Sequence, residues 1–121
     1  MQIPDLSNIP DLKPVEPGEY DIRVKKASDT TSNGRKGIML VCDIVDVNDA
    51  DTLFHTIWMP KETEDEGKQN IMYRMVKDFI VAVGLDPSNV ATQDFEGLEF
   101  SAFLDIDEYE GREKNVIKRI V

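Results

Sequence analysis

The sequence predicts a mainly β protein of five antiparallel strands, with one α-helix between strands 3 and 4. Two observations predict it. Five segments read as strands, with clean period-two alternation in the first, third and fourth, and the spacing turns helical in one segment after the third. Turn residues separate the strand-like segments at spacings short enough for hairpins. A chain of 121 residues fits one domain and can bury one core.

Residues 1–17 hold four of the six prolines: Pro4, Pro10, Pro14 and Pro17. Proline fixes φ and lacks a backbone donor, so this stretch is expected to be an extended arm, leaving residues 18–121 as the folded domain. The echo "IPDLSNIPDL" offers Leu6 and Leu12 as small apolar anchors.

"EYDIRVK" opens the domain, with Tyr20, Ile22 and Val24 on one face and Asp21, Arg23 and Lys25 on the other. The polar link "SDTTSNGRKG" follows. Its Asn33-Gly34 pair is a turn signal, which places Arg35 and Lys36 at a loop tip where Gly34 and Gly37 let the backbone bend. "IMLVCDIVDV" is the second strand and "NDAD" a turn.

"LFHTIWM" is the third strand. It sets Phe54, Thr56 and Trp58 against Leu53, His55, Ile57 and Met59, and the pattern leaves open which set faces inward. Pro60 ends it, and "KETEDEGK" reads as a solvated acidic loop. From Gln69 to Val83 the spacing becomes helical, and Ile71, Met72, Met75, Val76, Phe79, Ile80 and Val83 form a stripe expected to be core. Gly84 and Asp86-Pro87 stop the helix. After a polar link, "LEFSAFLDI" alternates again with Ser101, Phe103 and Asp105 outward, "DEYEGRE" turns on Gly111, and "NVIKRIV" is the last strand.

The order β-β-β-α-β-β is that of a five-stranded OB-fold-like antiparallel barrel with one helix between strands 3 and 4. Periodicity does not prove closure, because an open sheet packed on one helix gives the same string.

Net charge is -10, and it is unevenly distributed. Residues 43–110 carry four basic and seventeen acidic side chains, a balance of -13. Residues 19–37 balance at +2 and residues 111–121 at +3. A fold that joins the two positive stretches makes a basic stripe on an acidic body.

Several chemistries lack their signatures. "GRKG" has neither P-loop spacing nor a helix after it. One histidine and one cysteine give no Cys/His zinc set and no nucleophile–base pair at local spacing, and no G-x-S-x-G occurs. "DVNDAD" lacks the glycine and terminal glutamate of a calcium-binding EF-hand loop. The residues therefore give no reason to expect an enzyme, a metal or another cofactor. Cys42, inside an apolar run, is expected to be a small core residue, and a single cysteine suits a reducing cytoplasm. The first residues lack the basic and apolar regions of a signal peptide, and no apolar run is long enough to span a bilayer.

The basic residues are the remaining lead. In an OB-fold the first and last strands and the loop after strand 1 lie near the binding face, which would gather Arg23, Lys25, Lys26, Arg35, Lys36, Lys118 and Arg119. Single-stranded DNA needs cations along its backbone and aromatic faces for its bases. The candidate stacking groups are Phe54, Trp58 and Phe103, with Tyr109 a further one in the last turn.

"PVEPGEYDIRVKKASDTTSNGRKGIMLVCDIVD" resembles the opening of a family of small phage proteins that are OB-fold single-stranded-DNA-binding proteins or long went uncharacterised. The shared pattern is a Pro- and Glu-rich lead into Gly18-x-Tyr20, an alternating strand, the Lys/Gly loop Gly34–Gly37 and the apolar run Ile38–Val45. "MYRMVKDFIVAVGLDP" is similar to that family's helix. "DFEGLEFSAFLDIDEYEGREKNVIKRIV" is similar to its closing hairpin, so the likeness covers Pro14 to Val121. It implies non-catalytic binding of single-stranded DNA in phage replication or recombination, in the host cytoplasm. Phage or host replication proteins and further copies of the chain are the other partners it allows, and no membrane is involved. Many such proteins end in an acidic recruiting tail, whereas this chain ends in "VIKRIV".

Two other readings compete. An acidic β-barrel could bind protein, as a DNA mimic or an assembly module, and the central span of -13 motivates this. A metal-dependent nuclease would need two or three of the abundant carboxylates to converge.

Overall fold

A computed structural model describes all residues from Met1 to Val121. Its strands are β1 Gly18–Ser32, β2 Arg35–Ile44, β3 Leu53–Trp58, β4 Glu99–Tyr109 and β5 Arg112–Ile120. The helix α1, Glu66–Ala82, lies between β3 and β4, and a 3-10 turn at Thr92–Phe95 precedes β4. The strands form one antiparallel sheet in the order β3-β2-β1-β4-β5. It curls until β3 and β5 touch, but no hydrogen-bonded ladder joins those two edges. The expected five antiparallel strands and the helix between strands 3 and 4 are therefore present, but as one curled sheet open along a seam and not as a closed barrel.

Strand β1 is longer than its period-two segment. "KASDTTS" continues it, with Ser28 opposite Met39 and Thr30 opposite Gly37. Polar residues are tolerated there because β2 completes the ladder while β4 pairs only as far as Arg23. A bulge at Lys25 accompanies this change of partner. Beyond it, Gly97 N donates to Val24 O at 2.8 Å, and Glu96 Oε2 accepts from Ala27 N at 3.2 Å. The segment before β4 thus takes up backbone groups that β4 leaves free.

The core joins the inner sheet face to the helix. Ile22, Val24, Leu40, Cys42, Leu53, Ile57, Ala102 and Leu104 meet Val76 and Ile80 of α1, Val83 at its C-cap and Phe95 of the 3-10 turn. Asp65 caps α1 by accepting from Lys68 N at 2.8 Å. The apolar stripe of α1 is core only in part. Val76, Ile80 and Val83 are buried, but Ile71 and Met75 remain 58% and 67% exposed. Met72 and Met75 instead border a cleft at the open seam, beside residues of β3 and β5.

The N-terminal arm is also corrected in one respect. Leu6, like Ile3 and Ile9, is exposed, and Leu12, though exposed as well, borders a groove with Val45, Val47 and Ala50. The chain is fastened later. Lys13 forms a parallel bridge with Ala50, and Val15 packs against the core while pairing with the buried Asn115. No helix is long and apolar enough to cross a membrane.

Candidate nucleic-acid interface

Burial settles the orientation of β3. Leu53 and Ile57 are buried, His55 stacks on Phe79 with ring centroids 4.9 Å apart, and Phe54 is 53% exposed. Phe54, Thr56 and Trp58 therefore face outward. Register then builds three rows across the outer face: Lys26–Val41–Phe54, Ser28–Met39–Thr56 and Thr30–Gly37–Trp58. The result is an apolar platform on β2 and β3 with an aromatic ring at each end. The rings stand about 14 Å apart along the strand, at about 3.4 Å per residue.

Trp58 also connects two further groups of residues. On one side it lines a recess with Ser32, Asn33, Arg35 and Lys61. On the other it borders a cleft of about 390 Å³ along the seam, where β5 contributes Ile117 to Ile120. Arg119 lines that cleft and lies over the Phe103 ring, 4.7 Å from its centroid, with Lys118 Nζ at 5.9 Å. Phe103 points outward as expected but is half-buried beneath these cations.

The basic residues differ in how free they are. Arg23 Nε donates to Glu99 Oε1 at 2.7 Å, and Lys25 Nζ lies 3.7 Å from Asp43. Arg35 is not at a loop tip. The tip is Asn33-Gly34, both with positive φ, while Arg35 and Lys36 begin β2. Arg35 is half-buried, with Nη1 2.9 Å from Glu64 and donating to Met59 O at 3.1 Å. Gly37 makes no bend either, since it lies within β2 beneath Trp58. Lys26, Lys36, Lys118 and Arg119 are exposed and have no ion pair.

The acidic loop does not stand apart from the basic one. Glu64 receives Lys61 N at 2.7 Å, Lys68 Nζ at 2.6 Å and Arg35. The Lys68 contact, the Lys61 amide and Arg35 hold its carboxyl at about 2, well below the usual range. Sequence reasoning missed this clamp, because Arg35 and Glu64 are 29 positions apart and nothing local signals their meeting. Tyr109 sits at the far hairpin, exposed, with Lys114 Nζ 5.9 Å from its centroid.

Other groups are chemically quiet. Burial, then the charge of Asp43, pushes the Cys42 thiol up to about 12. Burial lowers the pKa of His55. No three His, Cys, Asp or Glu side chains converge closely enough to hold a metal ion.

No curated protein matches the chain. A family model described as "Protein of unknown function (DUF669)" matches residues 4–115, which takes in β1 to β4, α1 and the first residues of β5. The chain belongs to the DUF669 family.

Proposed function

We propose that this protein binds single-stranded DNA without catalysis, along the outer face of β2 and β3 and the rim of the β3/β5 seam. The observation that carries the reading is the platform bounded by Phe54 and Trp58, with unpaired cations beside it: Lys26 in the Phe54 row, and Lys118 and Arg119 across the cleft from Trp58. Bases stack on aromatic rings for about 1–3 kcal/mol each, and the backbone is met by cations whose effect weakens with salt. Phage replication or recombination in the host cytoplasm is the setting in which such an activity would serve, and replication proteins would be its protein partners.

The test is a salt titration of binding to oligo(dT) and to duplex DNA of the same length, read by Trp58 fluorescence. The reading expects quenching by oligo(dT), weaker binding to duplex, and a steep loss with salt. No gel shift of a 30-mer at low salt would sink it.

One observation favours a second reading. Arg23, Lys25 and Arg35 are each already paired with a carboxylate, which leaves the acidic surface dominant. On that reading the protein is an acidic interaction or DNA-mimic module. It wins if neutralising Glu62, Glu64 and Glu66 abolishes function while Lys118→Glu with Arg119→Glu leaves it intact.

A further inference from the structure

The arm before Lys13 and the cleft at the β3/β5 seam have complementary chemistry, and no arm residue lines the cleft of its own body. Ile3, Leu6, Ile9 and Leu12 recur every third residue and are between 56% and 67% exposed. A turn closed by Ile9 N donating to Leu6 O at 3.0 Å sits in their midst. The same segment carries Asp5 and Asp11 and no Lys or Arg. Such a run of open aliphatic side chains on one short stretch is unusual for a segment with nothing to cover.

The cleft shows the converse. Its walls are apolar, formed by the buried Ile57, the half-buried Met72, Phe79, Ile117 and Ile120 and the exposed Met75, and it also takes in the exposed Lys118 and Arg119. Methionine walls adapt to irregular aliphatic partners.

The direction of the chain decides which arm can reach it. Lys13 bridges Ala50 in parallel, just before β3 begins, and Val15 pairs with Asn115 of β5. Residues 13–15 therefore close the lower end of the seam while running the same way as β3. The cleft lies further on, beside His55 to Trp58. Residues before Lys13 join this seam from the end opposite the cleft, and none of them lines it.

We propose that the arm of one copy seats in the β3/β5 cleft of a second copy, its aliphatic residues against the cleft walls and Asp5 and Asp11 against Lys118 and Arg119. Exchange in both directions makes a closed pair, in which each body supplies one arm and one cleft. The proposal is tested with no nucleic acid present and so stands apart from the nucleic-acid reading, in which the arm and DNA would compete for Lys118 and Arg119.

The experiment is sedimentation velocity of the full chain over a micromolar concentration series. A concentration-dependent dimer is expected. Leu6→Ser with Ile9→Ser, at exposed positions, should raise its Kd about tenfold or more, since hot-spot truncations commonly cost that much. Lys118→Glu with Arg119→Glu should do the same, and adding Asp5→Lys with Asp11→Lys to that variant should restore the dimer. Circular dichroism of each variant checks that the sheet is intact. A chain that is monomeric throughout overturns the proposal. So does a dimer indifferent to the arm changes, or a charge swap that fails to restore what the single reversal lost.

Discussion

Trp58 lies against Gly37, its register partner on β2. A methyl group placed on Gly37 would stand 2.7 Å from Cε3 of the indole and 2.9 Å from the carbonyl oxygen of Ile57. The absence of a side chain at Gly37 is what lets the indole lie close over the strand at the junction of the recess and the cleft.

Gly37→Ala should therefore displace Trp58. The indole can move but the Ile57 carbonyl belongs to a paired strand, so the cost should be about 1–3 kcal/mol, typical of overpacking. The fluorescence maximum of Trp58 should shift, and the urea midpoint should fall. Gly34→Ala is the control: its φ of 78° is unfavourable for alanine, but nothing lies within 4 Å of the new methyl. It should cost about 1 kcal/mol from backbone strain and leave the Trp58 spectrum unchanged.

Lys25 and Lys26 are adjacent in sequence but differ in their surroundings. The bulge leaves Lys25 on Asp43, while Lys26 shares a row with Phe54 and has no ion pair. If single-stranded DNA follows that row, Lys26→Ala should reduce the slope of log K against log salt by about 0.7, one phosphate contact. Lys25→Ala should change it less. Equal slopes for the two variants would remove Lys26 from the interface.

Periodicity made most of the fold legible. Alternation in Tyr20–Val24, Leu53–Ile57 and Leu98–Leu104 reports burial on one face, and that is what fixes a half-buried strand. It could not report the second half of β1, where Ser28 and Thr30 are held by pairing with β2 and not by burial of their own. Phe95 was hidden in a polar link because one buried ring in a 3-10 turn has no period. The outward set of β3 was unreadable because His55, Ile57 and Met59 compete with Phe54 and Trp58 for the interior, and the burial of Leu53 and Ile57 with the stacking of His55 on Phe79 settles it. The pairing of Arg35 with Glu64 depends on the loop after β3 folding back over the start of β2, which no local pattern encodes.

That pairing should appear in the acid limb of stability. The carboxyl of Glu64 is held at about 2, below its ordinary value of 4.5. A depressed carboxylate contributes stability that is complete above pH 4.5 and lost as pH falls towards 2. Glu64→Gln should lower the urea midpoint at pH 6, and the gap from wild type should close between pH 4.5 and 2. A constant gap across that range would mean that the side chain acts through packing and not through its charge.

His55 should govern the limb just above. Burial holds its pKa below the ordinary 6.5, so the folded chain resists a proton that the unfolded chain accepts. Its contribution is fully present above pH 6.5 and declines as pH falls below it, by at most about 1.4 kcal/mol per pH unit. His55→Phe keeps a ring against Phe79 and removes the titration. Its stability should be flatter than that of wild type between pH 6.5 and 5, a window above the ordinary range of carboxylates.

Asn115 should hold the arm to the body. It is buried on β5, its Oδ1 accepts from Val15 N at 2.8 Å, and its Nδ2 donates to Val15 O at 2.9 Å. The side chain thus supplies the two contacts that a neighbouring strand's backbone would supply, across the seam that β3 and β5 leave open. Asn115→Leu keeps the volume but leaves the amide and carbonyl of Val15 unmet, at about 1–3 kcal/mol for each buried group. Asn115→Asp keeps the acceptor for Val15 N but turns a carboxylate toward Val15 O, so it should not rescue. Both variants should free residues 13–17, and limited proteolysis should cut there at protease levels that leave wild type whole. The sheet should survive, because Ile22, Val24 and Leu104 do not depend on the arm. If the arm stays protected in both variants, the parallel bridge from Lys13 to Ala50 is sufficient to fasten it, and Asn115 serves only the ladder to β4.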